Sequence, residues 1–118
     1  MDLIQLYQDF LNESDNKDLS FEEFAQTRHD GAKKIADSAK AKGGPSMLTY
    51  HHFVVKLPYY KQAAEGKFDF RNYTMELDHH MNKLSSMLPP SKKITQTEFQ
   101  KIMGIIEVLG ELIIRSKK

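Results

Sequence analysis

Histidine is the first residue type to ask about chemistry, because four of the five histidines come in adjacent pairs, His51-His52 and His79-His80. Imidazole is both a metal ligand and a proton carrier near neutral pH, so clustered histidines can mark either role. On a helix, adjacent side chains point about 100° apart, and neither pair can chelate one ion from a single face. Glu76 and His80 are better placed. They are four residues apart, one helical turn up, where a carboxylate and an imidazole can share a divalent metal or a hydrogen bond. His51 lies on the apolar stripe of its own segment and is the residue expected to meet them. His51, Glu76 and His80 are therefore the candidate metal ligands, and a metal held there would activate a water for hydrolysis. The competing reading keeps His51 and His80 at the core edge, hydrogen-bonded to backbone or carboxylate, with His52 and His79 solvated. It requires no cofactor.

Three other patterns carry weaker chemistry. His29-Asp30-Gly31, with the later histidine pairs, resembles the ligand pattern of HD-type phosphohydrolases, all-α enzymes that use His and Asp ligands to activate water on phosphate esters. No histidine precedes His29 to supply that family's upstream ligand, and the chain is short for the fold. Asn12 to Glu23 resembles a calcium-binding EF-hand loop, with Asn12, Ser14 and Asn16 at the first three ligand positions, Leu19 at the eighth and Glu23 at the twelfth. Neutral side chains stand where aspartates are usual and Lys17 replaces the turn glycine, which leaves a cation uncompensated. Ile94 to Phe99 resembles the end of a second such loop, although the preceding ligand positions hold Met87, Pro89 and Ser91. Helix capping boxes account for both similarities. Finally, Lys33, Lys34, Lys40 and Lys42 near Gly43-Gly44, and the run Tyr59-Tyr60-Lys61, offer phosphate contact and base stacking, so nucleic-acid binding stands as a further alternative. The plain reading of the lysines is a solvated helix face.

These residues have to be positioned by some scaffold, and the apolar periodicity says what kind. Leu3, Ile4, Tyr7, Phe10 and Leu11 predict an N-terminal amphipathic helix ended by the polar run 12–18. Ser20 to Glu23 reads as a capping box with a staple from Leu19 to Phe24, opening a helix that continues through Ala25, Ala32, Ile35, Ala36 and Ala39 to the Gly43-Gly44-Pro45 stop. Met47, Leu48, His51, Val54 and Val55 form a helical stripe, with a strand as the alternative because of the β-branched pair. Pro58 ends or kinks that segment and Tyr59 to Glu65 makes a short helix before Gly66. Phe70, Tyr73, Leu77, Met81, Leu84 and Leu88 mark the next, stopped by Pro89-Pro90. Thr95 to Glu98 with Ile94 and Phe99 repeats the start signal for a last helix running to about Ser116.

That last helix is apolar on an unusually wide arc. Phe99, Ile102, Met103, Ile106, Leu109 and Ile113 form one stripe, and Ile105, Val108, Leu112 and Ile114 widen it, leaving Gln100, Gly104, Glu107, Glu111 and Arg115 as its polar side. Either the helix is central to the fold or part of it is a partner face.

Composition sets the outer limits. A chain of 118 residues with 40% hydrophobic content has room for one core and no second domain. The lack of cysteine excludes a disulfide framework, a thiolate metal site and thiol catalysis. A net charge of +1 supplies no long-range field to gather nucleic acid or acidic lipid. Met1-Asp2-Leu3 is not followed by the pattern of a secretory signal, and the apolar stretch from Ile102 to Ile114 is too short to cross a bilayer core of about 30 Å. The expectation is a cytoplasmic protein without a membrane span. Gly31 to Phe68, especially Leu48-Thr49-Tyr50-His51-His52-Phe53 running into Leu57-Pro58-Tyr59-Tyr60, resembles small uncharacterised proteins of T4-like tailed bacteriophages. The resemblance covers about a third of the chain and implies a non-structural phage protein acting inside an infected bacterium. It transfers no catalytic residue.

The reading is thus one all-α domain over residues 1–118, a compact bundle of about five helices. Its expected function is non-enzymatic binding of a protein partner or of a second copy, through Ile105, Val108 and Leu112 on the last helix or through His52, Tyr59 and Tyr60. A metal-binding protein or metal-dependent hydrolase at His51, Glu76 and His80 is the alternative.

Overall fold

The computed structural model describes Gln5, residues 19–87 and residues 95–117. Apart from Gln5, the helix expected between Leu3 and Leu11 lies outside the described residues, as do the EF-hand-like positions 12–18 and the Ile94 staple. The described residues form α1 (Phe21–Lys42), a 3-10 turn (Gly44–Ser46), α2 (Met47–Val54), α3 (Leu57–Ala64), α4 (Phe70–Met87) and α5 (Gln96–Ser116), with no strand among them. The all-α class holds, and the strand alternative for the Met47 segment falls.

Local chemistry sets the boundaries. At the start of α1, Ser20 Oγ accepts the Glu23 backbone N–H at 3.1 Å while the Glu23 carboxylate accepts the Ser20 N–H at 3.0 Å, closing the capping box. Gly43 and Gly44 stop the helix at φ of +66° and +56°, a region that a side chain disfavours. The ring of Pro58 competes for the space of the carbonyl four residues back, that of Val54, and this is where α2 ends. Val55 and Lys56 nevertheless keep right-handed helical dihedrals, so α2 and α3 make one interrupted helix. On that count the described residues hold four helices, one fewer than the about five expected. Thr95 caps α5 by accepting the Glu98 N–H at 3.1 Å.

α1 packs along α2 and α3, while α5 packs against α2 and α4 and also reaches α3 and α1. This central place explains the wide apolar arc of α5. Val108, Leu109 and Leu112 are fully buried, and with Ile35 and Tyr60 they are the largest side chains shut away from solvent among the described residues. Burying each aliphatic side chain of this size stabilises the fold by roughly 1.5–3 kcal/mol. Opposite them α1 presents Ala25, Ala32, Ala36 and Ala39, all at most 1% exposed, whose small side chains let α2 and α3 lie close. No helix among the described residues is long and apolar enough to cross a membrane.

Candidate functional site

The chemistry of this protein collects on one edge of α5. Gln100, Gly104, Glu107, Glu111 and Arg115 recur at spacings of four, three, four and four residues, so they share one side of the helix. Sequence periodicity marks that side as the polar one. In the structure it faces protein along much of its length, because α2 and α1 lie against it.

Gly104 is the point of closest approach. A Cβ built there falls 2.2 Å from the His52 carbonyl oxygen and 2.7 Å from Val55 Cγ2, so hydrogen is the only substituent that lets α5 rest on the backbone of α2. With the helices this close, His52 bridges them. Its Nδ1 lies 3.1 Å from Gln100 Oε1 and its Nε2 lies 3.1 Å from Glu107 Oε1. The same Glu107 oxygen accepts a hydrogen bond from Lys56 Nζ at 2.9 Å. The Lys56 side chain is only 4% exposed, and its ammonium also sits 4.7 Å from the Phe53 ring centroid. The hydrogen bond from His52, supported by the Lys56 charge, holds the Glu107 carboxyl down to about 2 against the opposing effect of burial. Burial pushes the Lys56 ammonium below its ordinary value, and Glu107 opposes that push.

One turn further along, Glu111 makes the second tier. Arg28 of α1, 4% exposed at its side chain, meets both carboxylate oxygens, Nε donating to Oε1 at 3.1 Å and Nη2 to Oε2. Tyr60 donates its hydroxyl to Glu111 Oε1 at 2.6 Å, and burial, reinforced by the Glu111 charge, pushes the phenol well above its ordinary value. At the end of the edge Arg115 Nη2 donates to the Leu19 carbonyl at 3.0 Å, while its guanidinium lies 4.5 Å from the Phe24 ring centroid. The edge therefore ties α5 to α1, α2, α3 and the residue before the first cap. Cations as deep as Arg28 and Lys56 are stable only when paired, and the more exposed Glu111 and Glu107 supply their counter-charges.

The candidate metal ligands are distributed differently. His51 stays on α2, half-buried, with its ring edge-on to Tyr50 at 5.3 Å. Glu76 accepts the Tyr59 hydroxyl at 3.1 Å instead of closing on His80. Tyr73 donates to Gln62 Oε1 at 2.9 Å and stacks edge-on against Tyr59 at 5.8 Å, and burial, followed by the Glu76 charge, lifts both phenols to about 12. His80 has a buried Nδ1 with no hydrogen-bond partner among the described residues, and burial, followed by the His79 charge, lowers its proton affinity. Among the described residues no three His, Asp or Glu side chains are grouped to hold an ion. His51, Glu76 and His80 do not converge, because α5 is the helix that packs against both α2 and α4.

The expected interaction residues are likewise mostly spent inside the chain. Val108, Leu112 and Tyr60 are fully buried, and Ile105 and Tyr59 pack partly buried against the core. His52, which the competing histidine reading left in solvent, is the imidazole tied into α5. None of these six is an exposed docking residue. The aromatic-basic run offers little more to a nucleic acid, since Tyr60 is inside. Lys33 is paired with Asp37 at 3.2 Å, and Lys40 lies 5.6 Å from the Tyr50 ring centroid.

Exposed apolar side chains occur elsewhere. Phe70 and Met81 on α4 are 43% and 49% exposed, Ile114 on α5 is 62% exposed, and Met75, 61% exposed, points away from the face of α4 that holds Phe70 and Met81. Phe70, Leu77 and Met81 follow one face of α4, and Phe99, Met103, Ile106, Gly110 and Ile114 follow one face of α5, the members between the exposed ones being partly buried. Lys117 Nζ stands 5.2 Å from the Phe70 ring centroid, which brings the start of α4 beside the end of α5. Sequence reading missed this division of the α5 arc, although the spacing of residues 99, 103, 106, 110 and 114 was available to it. No protein-family model matches the chain, and neither a curated protein nor a solved structure was found to match it.

Proposed function

We infer that the chain is a non-enzymatic helical interaction module, and that the outer apolar face of the α4–α5 pair is the surface it uses. The observation that carries this reading is the exposure of Phe70, Met81 and Ile114 in line with the half-buried Leu77, Met103 and Ile106 of the same two helices. Large apolar side chains aligned along a helix pair are a feature of docking surfaces more than of solvated ones. The occupant proposed is a second copy of the chain. A net charge of +1 leaves little repulsion between copies, and an apolar stripe is self-complementary across a two-fold axis. The resemblance to T4-like phage proteins supports a phage-encoded accessory role in the host cytoplasm.

The test is the mass in solution by sedimentation equilibrium, where the chain alone is 13.7 kDa. The reading expects twice that mass, returning to the single-chain value in a Met81→Asp, Ile114→Asp double variant whose helical circular dichroism is unchanged. A wild-type protein that stays at the single-chain mass at high concentration overturns self-association through this face.

A further inference from the structure

A second face of α5 holds an open cleft, distinct from the apolar stripe. It has a volume of about 300 Å³ and is lined by Leu48, Thr49, His52 and Phe53 of α2 and by Gln100 and Glu107 of α5. That volume is at the lower end of small-ligand pockets, suited to one side chain or a fragment of similar size.

The polar atoms of the lining are unequally used. Both hydrogen bonds to the Glu107 carboxylate among the described residues end on Oε1, and none of them uses Oε2 of this half-exposed group. Gln100 is turned to His52, its side-chain amide 3.1 Å from Nδ1. The Thr49 hydroxyl makes no hydrogen bond among the described residues. The cleft therefore offers an anionic acceptor and a neutral hydroxyl beside the aliphatic wall of Leu48 and the ring of Phe53.

Charge decides which ligand fits. Glu107 is the carboxylate of the lining, and Lys56, which pairs with its Oε1, is not part of the wall. An incoming anion would face that carboxylate, and a neutral apolar group would strand its free oxygen. A guanidinium can donate one N–H to Glu107 Oε2 and another to the Thr49 hydroxyl. Its weakly hydrated plane tolerates the Phe53 and Leu48 walls better than an ammonium does.

We propose that the cleft between α2 and α5 is a binding site for an arginine side chain presented by a peptide or protein partner. The site is independent of self-association through the α4–α5 face, because its residues lie on the side of α5 turned to α2.

The experiment is a titration of isotope-labelled full-length protein with N-acetyl-arginine amide, followed by the Gln100 side-chain NH₂ and the backbone amides of Thr49 and Glu107. Saturable shifts are expected, with a dissociation constant of about 1 mM, the range of a fragment-sized ligand. Binding should weaken at least about tenfold, roughly 1.4 kcal/mol, in Glu107→Gln and measurably in Thr49→Val, which leaves the His52 and Lys56 contacts in place. Glu98→Gln, an equal charge change at an exposed position of α5, should leave it intact. The proposal is overturned if no saturable shift occurs, if the uncharged citrulline analogue or inorganic phosphate binds as well, or if Glu98→Gln weakens binding as much as Glu107→Gln.

Discussion

Replacing Gly104 with alanine sets two effects against each other, and the structure decides between them. Alanine is the better helix former by about 1 kcal/mol, so in an open helix Gly104→Ala would stabilise. Here the new methyl group would meet the His52 carbonyl oxygen at 2.2 Å and Val55 Cγ2 at 2.7 Å. The first is backbone, so α2 and α5 must separate. Overpacking of this kind costs about 1–3 kcal/mol, and a rigid backbone obstacle places it at or above the upper end. Separating the helices also stretches the bonds from His52 to Gln100 and Glu107. The net expectation is a loss of about 2 kcal/mol, a fall in Tm of roughly 6–12 °C for a domain of this size. Gly110→Ala is the internal control. It lies on the same helix, a Cβ there meets nothing within 4 Å, and the change should stabilise by about 0.5–1 kcal/mol. Urea and thermal unfolding of both variants, followed by circular dichroism at 222 nm, makes the comparison. If Gly104→Ala proves as stable as Gly110→Ala, α5 does not rest on the α2 backbone and the described seam is wrong.

Two further predictions concern the tiers beside that contact. Arg28→Met leaves the Glu111 carboxylate without its buried cation and should destabilise by about 3 kcal/mol, while adding both Glu111→Leu and Tyr60→Phe, so that the buried Tyr60 hydroxyl is not left without its acceptor, should recover most of the loss; a triple variant no better than the single one would contradict the pairing. Glu107 binds its proton near 2 in the fold and near 4.5 when free, so its stabilisation is fully present above about pH 4.5 and is lost as the pH falls toward 2. Because the carboxylate is half-exposed, solvent screening reduces that contribution to about 1 kcal/mol. Glu107→Gln should flatten the acid limb of stability in urea titrations between pH 5 and 2, and an unchanged limb would remove Glu107 from the account.

The helices themselves were legible because their causes are local. Ser20 and Glu23 can close a capping box with no help from the rest of the chain, Gly43 and Gly44 can stop a helix at positive φ, and the ring of Pro58 excludes the carbonyl at Val54 wherever the segment lies. The all-α class followed from the same periodicities, and so did the wide apolar arc of the last helix. What sequence could not supply was direction. A stripe of Ile105, Val108 and Leu112 looks the same whether it meets a partner or the chain's own α1 and α3, and only packing shows that Val108 and Leu112 have no exposed surface left. Likewise the spacing of Glu76 and His80 permits a shared ion, but whether His51 joins them depends on which helix lies between α2 and α4. The polar edge of α5 was visible as Gln100, Gly104, Glu107, Glu111 and Arg115. Their partners are 48 to 96 residues away in the chain, and no local rule relates them. Charge pairing across such distances is set by where whole helices come to rest, and here one glycine, in contact with a backbone carbonyl, helps to set that place.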